Sequence, residues 1–319
     1  MLRIAGKFFY QSTIQAIFTS LLVVALVIYL LSYLPDFATY DESDTVTKSN
    51  SSSEGDLSQS HENIMIQGQN FFQNNRLFWK NAFANEFGFS RVHEDQTVWS
   101  LIKQSSMISV FLLGLSLLCS TLMGGFLGLV SGFYYGRPFE KGIQLLGTIM
   151  TSMPSFLLAP ILIFIFSVHW HLFPTALWKG PVSLVLPVIT MALRPSFYLA
   201  RLFSKQITDT LSSDFIKVAK AKGLSLFSIW CSHVIPNSLA TFIVAVGNLL
   251  GQLLAGLFIV EALFALPGLG HLFVRSLAER DYPLFLALVL IFSLIMQLGH
   301  RMSDLALLLF IPRMGAKVK

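Results

Sequence analysis

Charge is what this 319-residue chain has least of: Asp, Glu, Lys and Arg together make up 12% of it, while 54% is hydrophobic. A soluble domain carries about 25% charged residues, so half that density places long stretches where ionised groups are unwelcome and argues against an ordinary water-soluble enzyme. Only two cysteines occur, Cys119 in an apolar run and Cys231 far from it. With neither a CxxC pair nor metal-ligand spacing they indicate no disulfide framework and no metal site. The motifs of bond chemistry are missing too. No G-x-x-x-x-G-K-[ST] occurs, since Gly6-Lys7 is followed by Phe8, and neither H-E-x-x-H nor G-x-S-x-G is present. The chain is therefore expected to be no enzyme and to bind no cofactor or metal itself. A net charge of +5 is too thinly spread for a nucleic-acid surface.

What the chain has instead is long apolar runs. A bilayer core of about 30 Å needs roughly 20 apolar helical residues, and six segments meet that length: Ile14 to Leu34, Ser106 to Phe133, Gly142 to Val168, Val182 to Phe203, Ser238 to Val260 and Pro283 to Phe310. The expected fold is an all-α integral membrane protein. The first span follows Arg3 and Lys7 but is too long for a signal peptide and lacks a small-residue cleavage site, so it reads as an uncleaved anchor. Between Pro35 and Ser105 lies the one sizeable polar region. Its Asp41 to Asn63 part, rich in Ser, Asp, Glu and Asn, is expected to be disordered, whereas Phe71, Phe72, Phe78, Trp79, Phe83, Phe87 and Phe89 offer surface for packing.

Basic residues set the expected orientation. With a cytoplasmic N-terminus the inside segments hold 12 Lys and Arg, and the outside segments hold 8 even with the long polar region counted. Both termini are expected in the cytoplasm. The division that follows is 1–34 as an anchor helix, 35–105 as an external (periplasmic) region, 106–310 as a five-helix core with a cytoplasmic loop over 204–237, and 311–319 as a cytoplasmic tail. Carboxylates are almost absent from the spans, which speaks against a secondary transporter coupled to protons or sodium.

The cytoplasmic loop carries helix signals. Asp214 suits a helix start, Lys220 and Lys222 suit its last turn, and Gly223 can take the left-handed conformation that ends it. Phe215, Val218, Ala219 and Lys222 share one face by spacing, while Ala221 and Gly223 leave the surface bare enough for close docking. Pro236 is expected to interrupt the entry to the fifth span.

These residues resemble the membrane subunits of binding-protein-dependent ATP-driven importers, specifically the B-type permease of the oligopeptide/dipeptide/nickel group. Ala219-Lys220-Ala221-Lys222-Gly223-Leu224-Ser225, with His233 and Asn237 beyond it, is similar to that family's coupling segment. Glu261-Ala262-Leu263-Phe264-Ala265-Leu266-Pro267-Gly268-Leu269-Gly270 resembles its E-x-x-F-x-x-P-G-L-G. Arg280-Asp281-Tyr282-Pro283 and Ile311-Pro312-Arg313 continue the likeness, and Glu86 to Ser90 matches more weakly. The chain departs from the family at Lys217 in the loop, at Asp36-Phe37 after Pro35, in the Ser-rich insertion, and at Arg194 and His300-Arg301, which fall where the group is usually apolar or uncharged.

The resemblance implies an ABC importer type I permease fold in the bacterial inner membrane. It implies a homologous second permease, two ATPase subunits that hold ATP and Mg, and an external substrate-binding protein. The ATPase-coupling residues would be Asp214, Lys217, Ala219, Ala221, Lys222, Gly223, His233 and Asn237; the external loop would be Glu261, Pro267, Gly268 and Gly270. Peptides are the implied cargo, with nickel complexes, antimicrobial peptides or another small solute as alternatives, and an ATPase-independent secondary transporter as the rival mechanism. Glycines at 124, 128 and 132, and Gly247, Gly251 and Ala255, have the four-residue spacing of close helix packing. Asn248 and Gln252 are the pathway candidates, because unpaired amides facing lipid are costly. Arg194 either joins that path or reaches toward Arg201 and the cytoplasm. His300 and Arg301 stand close enough to Asp304 to be neutralised locally.

Overall fold

In lipid a backbone must satisfy its own polar groups, so apolar runs of this length close into helices. The computed structural model describes residues 18–31, 76, 78–80, 87–93 and 95–310. Expectations for Asp41 to Asn63, for Phe71, Phe72 and Phe83, and for Ile311-Pro312-Arg313 lie outside them. Among the described residues the elements are α1 (Phe18–Leu31), α2 (Val98–Phe133), α3 (Pro138–Ser152), α4 (Ser155–Leu162), α5 (Val185–Leu211), α6 (Asp214–Ala221), α7 (Leu226–Ile229), α8 (Ile235–Leu263), α9 (Leu269–Ala278) and α10 (Tyr282–Phe310). A single isolated bridge, Phe89 to Thr97, is the extent of β pairing among them.

Among the described residues four helical segments are long and apolar enough to cross a membrane: Val98–Phe133, Pro181–Leu211, Leu226–Leu263 and Tyr282–Arg301. The expected third span is not a straight helix. Its two halves meet at 109°. Pro154 has no N–H to continue the hydrogen-bond ladder of α3 and pushes Met153 into an extended conformation, ψ 128°. Beyond the bend, α4 runs into a π-helical stretch, Ile163–His169. Counting this bent pair as one crossing makes five. At Pro236 the outcome differs in the other direction, because the helix does not stop there. A π-helical turn over Trp230–Val234 precedes Pro236 at the first turn of α8, where a missing N–H costs nothing.

The chain forms two compact units. The larger contains the described residues of 105–274 and 295–319. Its frame is a seam of small residues between α2 and α5. A Cβ at Gly124 would stand 2.7 Å from Leu199 Cβ, one at Gly128 2.9 Å from Phe203 Cβ, and one at Gly132 2.8 Å from Ile207 Cγ2. Partners advance four residues at a time on both helices, so α2 and α5 run in the same direction. Polar rungs repeat that register: Ser120 Oγ donates to the Ala192 carbonyl at 3.3 Å, and Ser204 Oγ to Ser131 Oγ at 3.0 Å.

The other pairs run oppositely. Phe203 meets Phe242 at 4.7 Å between ring centroids and Thr210 meets Ser238 at 3.3 Å, making α5 and α8 antiparallel. A Cβ at Gly247 would strike Ser303 and one at Gly299 would strike Leu250, making α8 and α10 antiparallel. Since α2 and α5 are parallel, the chain between them must return to the far end of the unit. It does so through the bent pair. α3 lies beside the C-terminal half of α5, with Arg201 Nη1 donating to Thr151 Oγ1 at 3.5 Å, and by Leu177 the chain has reached the other end, donating its N–H to the Phe264 carbonyl at 2.9 Å.

The smaller unit contains the described residues of 14–104 together with 275–294. There Ser293 Oγ donates to Ser20 Oγ at 2.9 Å, joining α1 to the first half of α10. Phe87 stacks on Trp99 at 6.4 Å, and the Val98 N–H donates to the Gly88 carbonyl at 2.9 Å.

Candidate functional site

Three places in the structure collect the residues singled out by sequence. The first is the turn of chain between α5 and α8. Within α6, Ile216 and Ala219 are buried and join the apolar cluster of Phe203, Ile207, Ile229 and Val234. Phe215 and Val218, grouped with Ala219 by spacing, lie instead on the exposed face with Ala221 and Lys222. A helix one residue out of the assumed phase presents a different stripe, and here Ile216 is the deeper anchor.

The end of α6 follows sequence expectation. Gly223 has φ +78°, its N–H donates to the Lys220 carbonyl at 3.0 Å, and the Leu224 N–H donates to the Ala219 carbonyl at 3.3 Å. This pair of bonds closes a Schellman end. Asp214 and Lys217 pair with each other at 2.8 Å while both stay exposed, a contact worth at most about 1 kcal/mol. Ser225 then caps α7, accepting from the Ser228 N–H at 3.2 Å. The result is an apolar knob: Leu224, Leu226 and Phe227 are exposed beside Phe215 and Val218, with Phe227 79% accessible. Asn237 does not reach outward from this knob. It turns its side-chain amide back to the His233 carbonyl at 2.6 Å, supporting the π-helical turn.

The second place is a cavity of about 320 Å³ within the larger unit. Its walls come from the Pro154 bend, α5 and α8, and its polar side chains are Thr190, Arg194 and Gln252. Thus Arg194 and Gln252 are brought together, whereas Asn248 lies one turn along α8 and outside the lining. Gly256 faces the cavity with nothing within 4 Å of where a Cβ would stand. Arg194 is exposed and has no ion-pair or hydrogen-bond partner among the described residues.

The third is the opposite end of α8. Glu261 is 0% accessible, and its carboxylate accepts three hydrogen bonds: from Ser109 Oγ at 2.6 Å, the Gly270 N–H at 2.7 Å and the His271 N–H at 3.1 Å. Ser109 Oγ in turn accepts from the Leu269 N–H at 2.7 Å. The carboxylate therefore caps the first turn of α9, where a negative charge is favoured by the free N–H groups. This explains the glycines of the motif. A Cβ at Gly268 would overlap the Glu261 carboxylate, and one at Gly270 would stand 2.9 Å from Phe258 Cα. Pro267 is exposed at the turn.

In the smaller unit Asp281 plays the same part for α10. It is 1% accessible, takes the Ser90 hydroxyl on Oδ2, and accepts the Arg91 N–H at 3.2 Å and the Leu284 N–H at 3.4 Å on Oδ1. Ser90, at the end of the weaker match Glu86 to Ser90, thus meets Asp281 of the Arg280 to Pro283 match. Sequence reasoning singled out neither Ser109 nor Phe227, and it gave Ser90 no partner. A serine inside an apolar span signals a required partner but does not name it, and an apolar side chain such as Phe227 does not by itself show whether it is buried or exposed. His300 is exposed on α10, and its expected neutralisation involves the Asp304 side chain, which lies outside the described set.

Comparison with known proteins bears on these features together. Residues 124–314 match the family described as binding-protein-dependent transport system inner membrane component. The chain is 33% identical over 238 residues to the dipeptide transport system permease protein DppB of Bacillus subtilis (strain 168), covering 74% of this chain and 77% of that one. It is 28% identical over 239 residues to the oligopeptide transport system permease protein OppB of Haemophilus influenzae, covering 74% and 78%. Among solved structures, an amino acid ABC transporter with histidines aligns over 65% of this chain and 93% of that one, with a TM-score of 0.51 at 15% identity. An inward-facing methionine ABC transporter aligns over 65% and 96%, with a TM-score of 0.52 at 16% identity, and both share the helical fold. The chain belongs to the binding-protein-dependent transport system inner membrane component family, the membrane permeases of ABC importers.

Proposed function

We propose that this chain is the permease subunit of an ATP-driven peptide importer, and that the α6 to α7 knob is its contact with the ATPase subunits. The carrying observation is the contrast within one short segment. Ile216 and Ala219 are locked into the core of the larger unit while Phe215, Val218, Leu226 and Phe227 stand out uncovered. An exposed apolar group of this kind marks an interaction site, and a helix tied to the α5 and α8 core can transmit displacement as a rigid body. ATP binding to the partners, which hold ATP and Mg, would close them on each other, move the knob and change which end of the cavity is open.

In this reading the chain has six spans with both termini in the cytoplasm, pairs with a homologous permease, and receives solute from an external binding protein. The dipeptide and oligopeptide permeases it is similar to supply the peptide assignment. Its coupling test is Gly223→Val in the assembled transporter, with ATP hydrolysis and peptide uptake measured in the same proteoliposomes. A β-branched residue in the left-handed region costs about 1–2 kcal/mol or more and displaces the knob. Hydrolysis should persist while uptake falls several-fold. Unchanged uptake per ATP would refute the docking assignment.

A further inference from the structure

Arg194 sits deep in its helix, about 14 Å along the axis from the start of α5 and about 26 Å from its end at 1.5 Å per residue. A charge at such depth is costly against lipid, by about 2.5–3.5 kcal/mol even on insertion scales, and is kept where it faces a cavity or meets an opposite charge; Arg194 is exposed on the cavity wall. The cavity contains no acidic side chain, and among the described residues Arg194 has no partner. The carboxylates of the larger unit that are buried, as at Glu261, are already engaged elsewhere. We propose that the counter-charge arrives with the cargo: Arg194 is the site in the translocation cavity that takes the carboxylate of the transported peptide.

The surroundings fit that ligand. A guanidinium presents a planar fork that binds a carboxylate through two parallel N–H donors. Gln252 on α8 lines the same space and can both donate and accept. The remaining walls, including Phe156 and Ile259, are apolar and tolerate varied side chains. A volume of about 320 Å³ is at the small end of ligand sites and suits a short peptide.

This assignment rests on the peptide reading above, and its test separates the two. The complete transporter in proteoliposomes is given a labelled tripeptide with a free C-terminal carboxylate, or the same tripeptide amidated, each at saturating binding protein. Removing a charged hydrogen-bonding partner should cost about ten- to a hundredfold. Arg194→Gln should therefore lower uptake of the free acid by at least about tenfold while leaving the amide nearly unchanged, collapsing the wild-type ratio. Arg194→Lys, which keeps the charge but not the fork, should retain part of it. Arg194→Met provides a second neutral variant where Arg194→Gln does not assemble, and basal ATP hydrolysis reports assembly. Equal loss of both peptides, as expected if Arg194 pairs with an acid of the partner permease, overturns the assignment, as does an unchanged ratio. Wild-type transport of neither peptide overturns the peptide reading and this assignment with it.

Discussion

Replacing Gly128 by alanine probes the contact that holds α2 against α5. The added methyl would stand 2.9 Å from Phe203 Cβ and 3.0 Å from the Ala200 carbonyl oxygen, whereas carbon atoms prefer separations of about 3.5–4.0 Å. Both neighbours belong to the body of a helix, so neither can swing aside. The helices must part, and the contacts at Gly124 and Gly132 loosen with them. Overpacking of this kind costs about 1–3 kcal/mol, partly offset by the roughly 0.5–1 kcal/mol that alanine gains over glycine within a helix. Gly114, on the same helix, has nothing within 4 Å of where a methyl would stand. Gly114→Ala keeps the propensity gain without the clash, so the difference between the two variants isolates the packing cost, about 1–3 kcal/mol. The assay is the thermal unfolding midpoint of the purified transporter in detergent. Gly128→Ala should unfold below wild type and Gly114→Ala at or above it. Equal midpoints for the two variants would mean that α2 and α5 do not meet along this seam.

Two further predictions concern the buried carboxylates. Glu261→Ala leaves Ser109 Oγ and the Gly270 and His271 N–H groups without their acceptor, a loss of about 1–3 kcal/mol for each buried donor that finds no other partner. Gly268→Ala should imitate it by displacing the same carboxylate, so in a double-mutant cycle on thermal stability the two should be far from additive, and additive losses would show that Gly268 acts elsewhere. For Asp281→Ala, the structure predicts local release rather than global unfolding. The N–H groups of Arg91 and Leu284 lose their acceptor, a capping loss of about 0.5–2 kcal/mol, and hydrogen exchange at 87–93 should accelerate while the middle of α10 stays protected; unaltered exchange at Arg91 would count against the Asp281 cap.

By itself the sequence determined that this is a multispanning helical protein and roughly where most of its helices lie, because the cost of an unsatisfied backbone in lipid and the scarcity of charge act on each segment independently of the rest. It also determined local ends: Gly223 closes α6 because only a residue without a Cβ takes φ +78° cheaply. Tertiary structure decided what each residue faces. Spacing assigned Phe215, Val218 and Ala219 to one stripe, but which stripe is buried depends on the core that Ile216 finds. The bend at Pro154 was hidden because hydropathy sums over a window and is blind to direction. The partners of Glu261 and Asp281 were hidden for a different reason. Ser109 lies 152 residues from Glu261, and Ser90 lies 191 from Asp281. A buried carboxylate announces that donors exist, and only the folded chain selects which hydroxyls and N–H groups reach it.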